Sequence, residues 1–355
     1  MKRVVSPSQP VEVDPPPLDS LLAALPPRRA VDGGQVAYGR YCQAIADPNV
    51  RASGVFGRFR LKEWHYTSVS SDHFFLAFGL VHLGYLANAF CYLVDHTTGD
   101  SYHAYEAMAP FGFGLRFAPS SVRGVTRWRK GGQSIEVRWE EGWHIRIDVM
   151  LRDRRDRTER LCGELHYPAG ESLVLLHPLP SGKPAYTHKE SARPTVGTLH
   201  WRDERVPVDG LGTLDWTRSV ALRETTWKWA SFTTRGADGH RIGLNLSAEV
   251  YDDADGASRE NAAWLGDRPH VLGGVRFEVP AHPERDPWRI RSLHGDEVDL
   301  TFQPMGARSQ NVDYRLIRSE FVQPYGRFTG TLRVSGVTVP VDGAFGVVED
   351  HRSLW

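Results

Sequence analysis

Residues 211–236 read LGTLDWTRSVALRETTWKWASFTTRG, a stretch that combines three tryptophans with acids and arginines. Side chains alternate between the two faces of a strand, so Trp227 and Trp229 point one way and Lys228 the other. The stretch therefore predicts a strand, a turn and a second strand that forms one wall of an aromatic core or cavity. Asp215 would then be an acid beside apolar surface, which costs free energy unless the acid is paired.

Runs with period-two alternation fill most of the remaining chain. Ile135, Val137 and Trp139 fall on one face of a predicted strand, and glycine turns such as Asp238-Gly239 separate such runs. No convincing helical periodicity extends over ten or more residues. The pattern predicts an all-β protein of two tandem antiparallel β-barrels, or barrel-like sandwiches, with short helices only.

Proline marks the predicted domain limits. Residues 1–34 are proline-rich and predict a disordered or partly helical lead, with one short helix at Leu18–Leu25. A second proline-rich stretch, PLPSGKP at 178–184, predicts a joint between the barrels. We therefore expect a first barrel domain at 35–185 and a second at 186–355, which carries most of the chemically distinctive motifs.

The composition of the chain limits the classes of binding partner that we expect. Forty-three basic and forty-three acidic residues give a formal net charge of zero, which removes the usual electrostatic argument for nucleic acid or an anionic membrane. Cys42, Cys91 and Cys162 are odd in number and widely spaced, which argues against a disulfide framework and favours the cytoplasm. No segment reaches the roughly 18 apolar residues of a membrane span, and no secretory signal is predicted. We expect a hydrophobic small molecule as the partner; the sequence sets no oligomeric state.

The common catalytic and nucleotide-binding motifs are absent, and the fifteen histidines lack metal-ligand spacing, so we expect no metal and no cofactor. What remains are acids, amides and aromatic residues on predicted strands. Each has an alternative structural role as an inter-strand ion pair or a turn cap. The candidate catalytic residues are Asp215, Glu260, Glu349 and His351. The candidate ligand-binding residues are Trp216, Arg223, Trp227, Trp229, Asn245, Asn261 and Gln323.

Several ordered strings support a family resemblance over about residues 58–355. They include KEWHY, YTHKESARPTVG, LDWTRS, the run from Arg223 to Ser231, SEFVQPYGRFTG and GVVEDHRSLW. Together they resemble the bacterial family known as domain of unknown function 2804. That family is similar at fold level to carotenoid 1,2-hydratases, AttH-like proteins and certain fungal Diels-Alder cyclases. The resemblance implies a tandem lipocalin-like fold with a hydrophobic ligand site between or inside the barrels, and it does not fix a reaction.

Three functions fit these features. The first is a cofactor-independent enzyme that hydrates, isomerises or cyclises a terpenoid, polyketide or fatty-acyl chain, using a carboxylic acid kept neutral by a dry pocket. Asp215 is the first candidate for that acid; if Arg223 pairs with it, Glu260 or Glu349 takes the role. The second is a non-catalytic carrier of a hydrophobic ligand. The third is a structural protein whose barrels are filled by tryptophan. The predicted site residues are expected to converge on one cavity in the second half of the chain.

Overall fold

The computed structural model describes residues 25–54, 57–314 and 317–355. Within them the regular secondary structure is almost entirely antiparallel strand, with one short helix, α1 (Gly57–Arg60), and a 3-10 turn at His96–Thr98. The strands are β1 (Val31–Asp32), β2 (Gln35–Val36), β3 (Gly39–Tyr41), β4 (Leu61–Ser70), β5 (Phe74–His82), β6 (Leu86–Asp95), β7 (Ser101–Pro110), β8 (Leu115–Arg116), β9 (Val125–Lys130), β10 (Gln133–Trp139), β11 (Gly142–Asp153), β12 (Thr158–Pro168), β13 (Leu173–Pro178), β14 (Pro184–Trp201), β15 (Glu204–Val220), β16 (Glu224–Arg235), β17 (Arg241–Ala248), β18 (Ala262–Leu265), β19 (Arg268–Val271), β20 (Val275–Glu278), β21 (Trp288–Ser292), β22 (Val298–Tyr314), β23 (Ile317–Val334) and β24 (Val337–Leu354).

The first unit is an eight-stranded closed barrel. Its hydrogen-bonded order is β14-β15-β4-β5-β6-β7-β11-β12, and β12 pairs back to β14. Eight strands leave an interior that side chains can fill. Here it is filled by an apolar core that includes Trp128, Trp143 and Trp216.

The second unit is a nine-stranded sheet in the order β19-β18-β17-β16-β24-β23-β22-β21-β20. The sheet curls until β20 lies against β17, and it encloses a core that includes Phe232, Trp288 and Phe328. The prediction of an all-β tandem lipocalin-like fold is therefore confirmed.

The outer face of the first barrel packs against the second sheet. Alternation along β5 and β6 sends Phe75, Ala77 and Tyr92 outward to meet Trp229 and Tyr325 in a third apolar cluster. The two backbones approach closely at Gly243 of β17, where a Cβ atom would overlap the Ser191 side chain of β14. The face between the two sheets is thus the place where a site can be built from both units.

Two of the predicted boundaries need correction. The proline-rich residues 178–184 form the turn between β13 and β14, and both β14 and β15 belong to the first barrel. The turn residues at 178–184 close a hairpin and link no domains. The change from the first sheet to the second lies at 221–223, between β15 and β16. Ala30, inside the predicted 1–34 lead, is fully buried in the first core, so packed chain begins before residue 35. The predicted helix at Leu18–Leu25 lies outside the described residues except for Leu25.

Candidate active site

A cavity of about 590 Å³ lies between the two units. The outward faces of β4, β5, β6, β14 and β15 form one wall, and β16, β17, β23 and β24 contribute the opposite one. The wall is largely aromatic, and its rings belong to both units: Trp64, Tyr66, Phe90, Trp227, Trp229, Tyr251 and Phe321. A mostly apolar pocket with few polar groups is the usual form of a small-molecule site.

An ionic triad of Lys189, Asp215 and Glu260 is set into this wall. The Lys189 ammonium donates a hydrogen bond to Asp215 Oδ2 and lies 3.1 Å from Glu260 Oε1. The side chains of Lys189 and Glu260 are 5% and 3% exposed, so solvent screens their interaction little. One buried cation therefore serves two carboxyl groups.

Burial and charge act in opposite directions on these groups. Burial alone would lower the pKa of Lys189, but the carboxylates of Asp215 and Glu260 outweigh it and raise that pKa. Burial raises the pKa of Glu260, the Lys189 ammonium opposes the rise, and the Asp215 charge adds to it. The net result is a raised Glu260 pKa, so the triad favours a charged lysine and a Glu260 that holds its proton to higher pH than an exposed glutamate.

Local structure fixes each member of the triad. Lys189 and Asp215 are direct cross-strand neighbours on β14 and β15. The register shifts immediately afterwards, between Glu190 and Arg193, and such bulges re-aim side chains near functional sites. Glu260 lies on the loop between β17 and β18, where its carbonyl oxygen accepts a hydrogen bond from Asn245 Nδ2 at 2.7 Å. The acid is thus placed by a neighbouring strand.

Glu349 anchors a second polar cluster in the cavity. Its two oxygens accept hydrogen bonds from Trp227 Nε1 at 2.6 Å and from Gln323 Nε2 at 2.8 Å. The Gln323 amide is oriented by Tyr92, whose hydroxyl donates to Gln323 Oε1 at 3.1 Å. The cluster therefore holds the indole of Trp227 in one orientation along the wall.

His351 completes the aromatic end of the cavity. Its Nε2 contacts the Ser319 and Ser353 hydroxyls at 2.9 and 2.7 Å, and its ring centre lies 4.1 Å from that of Trp227. Glu349 Oε1 is 3.8 Å from His351 Nδ1. His351 thus lies between the second polar cluster and two serines, Ser319 of β23 and Ser353 of β24.

Glu349→Gln is expected to lower the free energy of unfolding by about 1–3 kcal/mol, the range for a buried donor left without an acceptor. The glutamine amide would turn an NH₂ group toward Trp227 Nε1 or Gln323 Nε2, which are both donors. Urea unfolding measures the loss. Glu320→Gln is the control, because Glu320 is an exposed acid on β23; an equal loss in both variants would contradict the role of Glu349.

The structure brings most of the predicted residues to this cavity. Those that line it are Asp215, Glu260, Glu349, His351, Trp227, Trp229 and Gln323. Asn245 stands behind the wall, where its Oδ1 accepts a hydrogen bond from Trp229 Nε1 at 2.9 Å. It therefore positions Trp229 and Glu260. Residues of both units line the cavity, so the prediction that it lies in the second half of the chain alone is wrong.

Three predicted ligand-binding residues lie elsewhere. Trp216 follows Asp215 in the same strand and so points into the first barrel, where it is fully buried against Tyr186. Arg223 does not pair with Asp215; its guanidinium donates to the Trp355 carbonyl oxygen. Asn261 binds the Ser247 amide and the Gly273 carbonyl oxygen, which fixes the β17–β18 loop.

The sequence reasoning missed two cations of the cavity. Lys189 belongs to the string YTHKESARPTVG, but its partner acids are 26 and 71 positions away, and no spacing rule joins them. Arg308 of β22 is 9% exposed, donates to Glu106 Oε1 at 2.8 Å and lies 4.0 and 4.8 Å from the ring centres of Phe90 and Phe321. The one sequence signal for Lys189 was its place in a string that carries the family resemblance, and that string does not point to the partner acids.

Within the described ranges, no group of three or more histidine, cysteine, aspartate and glutamate side chains is placed to hold a metal ion. In the same part of the chain, no helix is long and apolar enough to cross a membrane.

The family of the chain follows from a sequence model. The model described as "Domain of unknown function (DUF2804)" matches residues 33–355, nearly the whole chain. The protein belongs to this family. No curated protein matches it. The resemblance drawn from the motifs is thus confirmed.

Solved structures similar to this DUF2804 member include a putative AttH (NE1406) from Nitrosomonas europaea, with a TM-score of 0.47 and 17% identity over 82% of this chain and 92% of that one. Kievitone hydratase from Nectria haematococca gives a TM-score of 0.40 and 10% identity over 83% and 88% of the two chains. The structure of CghA with Sch210972 gives a TM-score of 0.39 and 13% identity over 83% of this chain and 88% of that one.

Proposed function

We propose that this protein is a cofactor-independent enzyme that binds a hydrophobic small molecule in the cavity between the two units and transfers a proton to it from Glu260. The substrate class is a terpenoid, polyketide or fatty-acyl chain, and the reaction is a hydration, isomerisation or cyclisation. The observation that carries the proposal is the buried triad, in which one lysine faces two carboxyl groups on an aromatic wall.

Glu260 is the preferred acid because its pKa is raised while Lys189 and Asp215 remain an ion pair. Proton transfer to an alkene carbon leaves a Glu260 carboxylate and a substrate cation. The Lys189 ammonium stabilises the new carboxylate, and the aromatic wall formed by Trp229 and Tyr66, whose rings meet edge to face with centres 5.3 Å apart, suits the cation. Addition of water followed by proton loss, loss of a neighbouring proton, or attack by a second alkene followed by proton loss from the new cation ends the reaction, and the proton released returns to Glu260.

A carrier of a hydrophobic ligand would use the same cavity but needs no proton donor. The buried triad favours the enzyme, because an apolar wall without charges would hold a ligand at less cost in desolvation. Glu349 and His351, at the aromatic end of the cavity, are assigned to ligand orientation and to the electrostatic stabilisation of the cation.

The expected result with purified protein is a co-purifying apolar molecule, detected by native mass spectrometry and solvent extraction. Returned to the protein in D₂O, this molecule is expected to gain deuterium at carbon or to change mass by one water. Glu260→Gln should abolish the change while the molecule still binds. A ligand that binds and returns unchanged would instead establish the carrier, and an absence of both a ligand and binding of the neutral probe N-phenyl-1-naphthylamine would reject the site.

A further inference from the structure

A loop at residues 111–114, between β7 and β8, presents large apolar side chains to solvent. Phe111 is 62% exposed and Phe113 is 69% exposed, and Met108, at the end of β7, is 43% exposed. Scattered exposed apolar residues are normal, but three within six positions form a patch that calls for a partner.

The backbone of this loop is firmly held. Phe111 N donates to the Tyr85 carbonyl oxygen at 2.8 Å, and Arg129 N donates to the Gly114 carbonyl oxygen at 2.8 Å. Phe111 has a φ of 54°, a left-handed conformation that costs free energy for a bulky residue. A strained and hydrogen-bonded turn therefore fixes the two phenyl rings outside the core.

Cations surround the loop. Arg116, Arg129 and Lys130 are exposed, and none of them forms an ion pair with a described residue. Arg116 lies directly opposite Arg127 on the paired strand, and Arg127 in turn pairs with Glu136 at 3.7 Å, which leaves Arg116 as the free charge of the two among the described residues. Lys130 Nζ donates to the Met108 carbonyl oxygen at 2.7 Å, which places its charge beside the apolar patch. The chain has zero net charge, but this neighbourhood is basic.

The loop also borders the cavity. Met108, Tyr85 and Leu86 line the cavity, and Leu86 pairs with Pro110, the residue before Phe111. The apolar loop therefore adjoins residues that line the cavity.

We propose that residues 111–114 dock this protein onto an anionic phospholipid bilayer, with Phe111 and Phe113 inserted among the lipids and Arg116, Arg129 and Lys130 against the headgroups. Aromatic side chains at an interface combined with neighbouring basic residues give reversible binding to such a surface. Docking would open the cavity toward the phase in which an apolar ligand dissolves. The charge of the surrounding residues selects an anionic lipid surface over an apolar protein partner.

Vesicle co-sedimentation of the full chain tests this docking. We expect binding to mixed phosphatidylcholine–phosphatidylglycerol vesicles, and much weaker binding to vesicles of phosphatidylcholine alone. Phe111→Ser/Phe113→Ser should weaken binding to the mixed vesicles by at least about tenfold, since two apolar rings no longer leave water. Arg116→Gln/Lys130→Gln should weaken binding to the mixed vesicles and remove the preference over the neutral ones.

Matched variants separate this proposal from the enzyme. Val337→Ser removes an exposed apolar side chain on another turn, 59% exposed, and should bind vesicles like the wild type. Glu260→Gln should also bind like the wild type, so loss of turnover and loss of docking are distinct results. Phe113→Ser alone covers the case in which the double variant fails to fold. Wild-type binding no greater than in the absence of lipid, or equal binding by the wild type and the phenylalanine variants, would overturn the proposal.

Discussion

Lys189→Met is expected to destabilise the protein by roughly 3–5 kcal/mol, the range for removing one partner of a buried ion pair. The methionine fills similar space, but Asp215 and Glu260 lose their shared cation inside an aromatic wall. Urea unfolding at neutral pH measures the change. Lys228→Met is the matched control, because the acids that pair with Lys228 are 42% and 36% exposed, and it should cost no more than about 1 kcal/mol.

Removing the two acids that have lost their cation, Asp215 and Glu260, should restore much of the stability that Lys189→Met loses. Lys189→Met/Asp215→Asn/Glu260→Gln has no charge left in the triad, so it is expected to be clearly more stable than Lys189→Met alone. An equal stability of the two variants, or a Lys189→Met cost as small as that of Lys228→Met, would contradict the triad as a unit of buried charge.

Glu260→Gln and Asp215→Asn are expected to have opposite consequences. Glutamine reproduces a protonated Glu260, so Glu260→Gln should be at least as stable as the wild type and lose its turnover. Asparagine removes the Asp215 carboxylate, and Glu260 is then the one acid left to pair with the Lys189 ammonium, so Asp215→Asn should destabilise the protein but by less than Lys189→Met. Urea unfolding and the deuterium assay on the same preparations separate the two roles.

The pH dependence of the free energy of unfolding also tests whether the pKa of Glu260 is raised. A carboxyl group with a raised pKa in the folded protein stabilises the fold below its ordinary value of 4.5 and loses this contribution as pH rises through the folded pKa. Wild-type stability should therefore decline relative to that of Glu260→Gln as pH rises from about 4.5. Parallel profiles for the two proteins over that range would show that the pKa of Glu260 is not raised.

Strand alternation predicted the fold and part of the site. Trp227 and Trp229 share a face, as expected, and that face is the cavity wall. The same rule excludes Trp216 from the cavity wall, because a residue next to Asp215 in a strand must point to the opposite face. Motif proximity alone had grouped the two residues.

The remaining errors concern pairing between distant strands. The turn at 178–184 reads as a linker, and only the pairing of β15 with β4 shows that the chain stays in the first barrel until Val220. Lys189 and Asp215 meet because β14 and β15 pair in one register, and Glu260 joins them from the other unit. Local composition carries no information on such register, so the ionic triad emerges only from the folded structure.

Infrared difference spectroscopy tests the protonation of Glu260 most directly. The spectrum of the wild type minus that of Glu260→Gln, recorded in D₂O over a pH series, should contain the C=O stretching band of a protonated carboxylic acid at pH values above 4.5, the ordinary pKa of a glutamate. That band should disappear as pH is raised further, when Glu260 ionises. A carboxylic acid band that is lost with a midpoint at or below pH 4.5 would contradict a raised Glu260 pKa and, with it, the role of Glu260 as the proton donor.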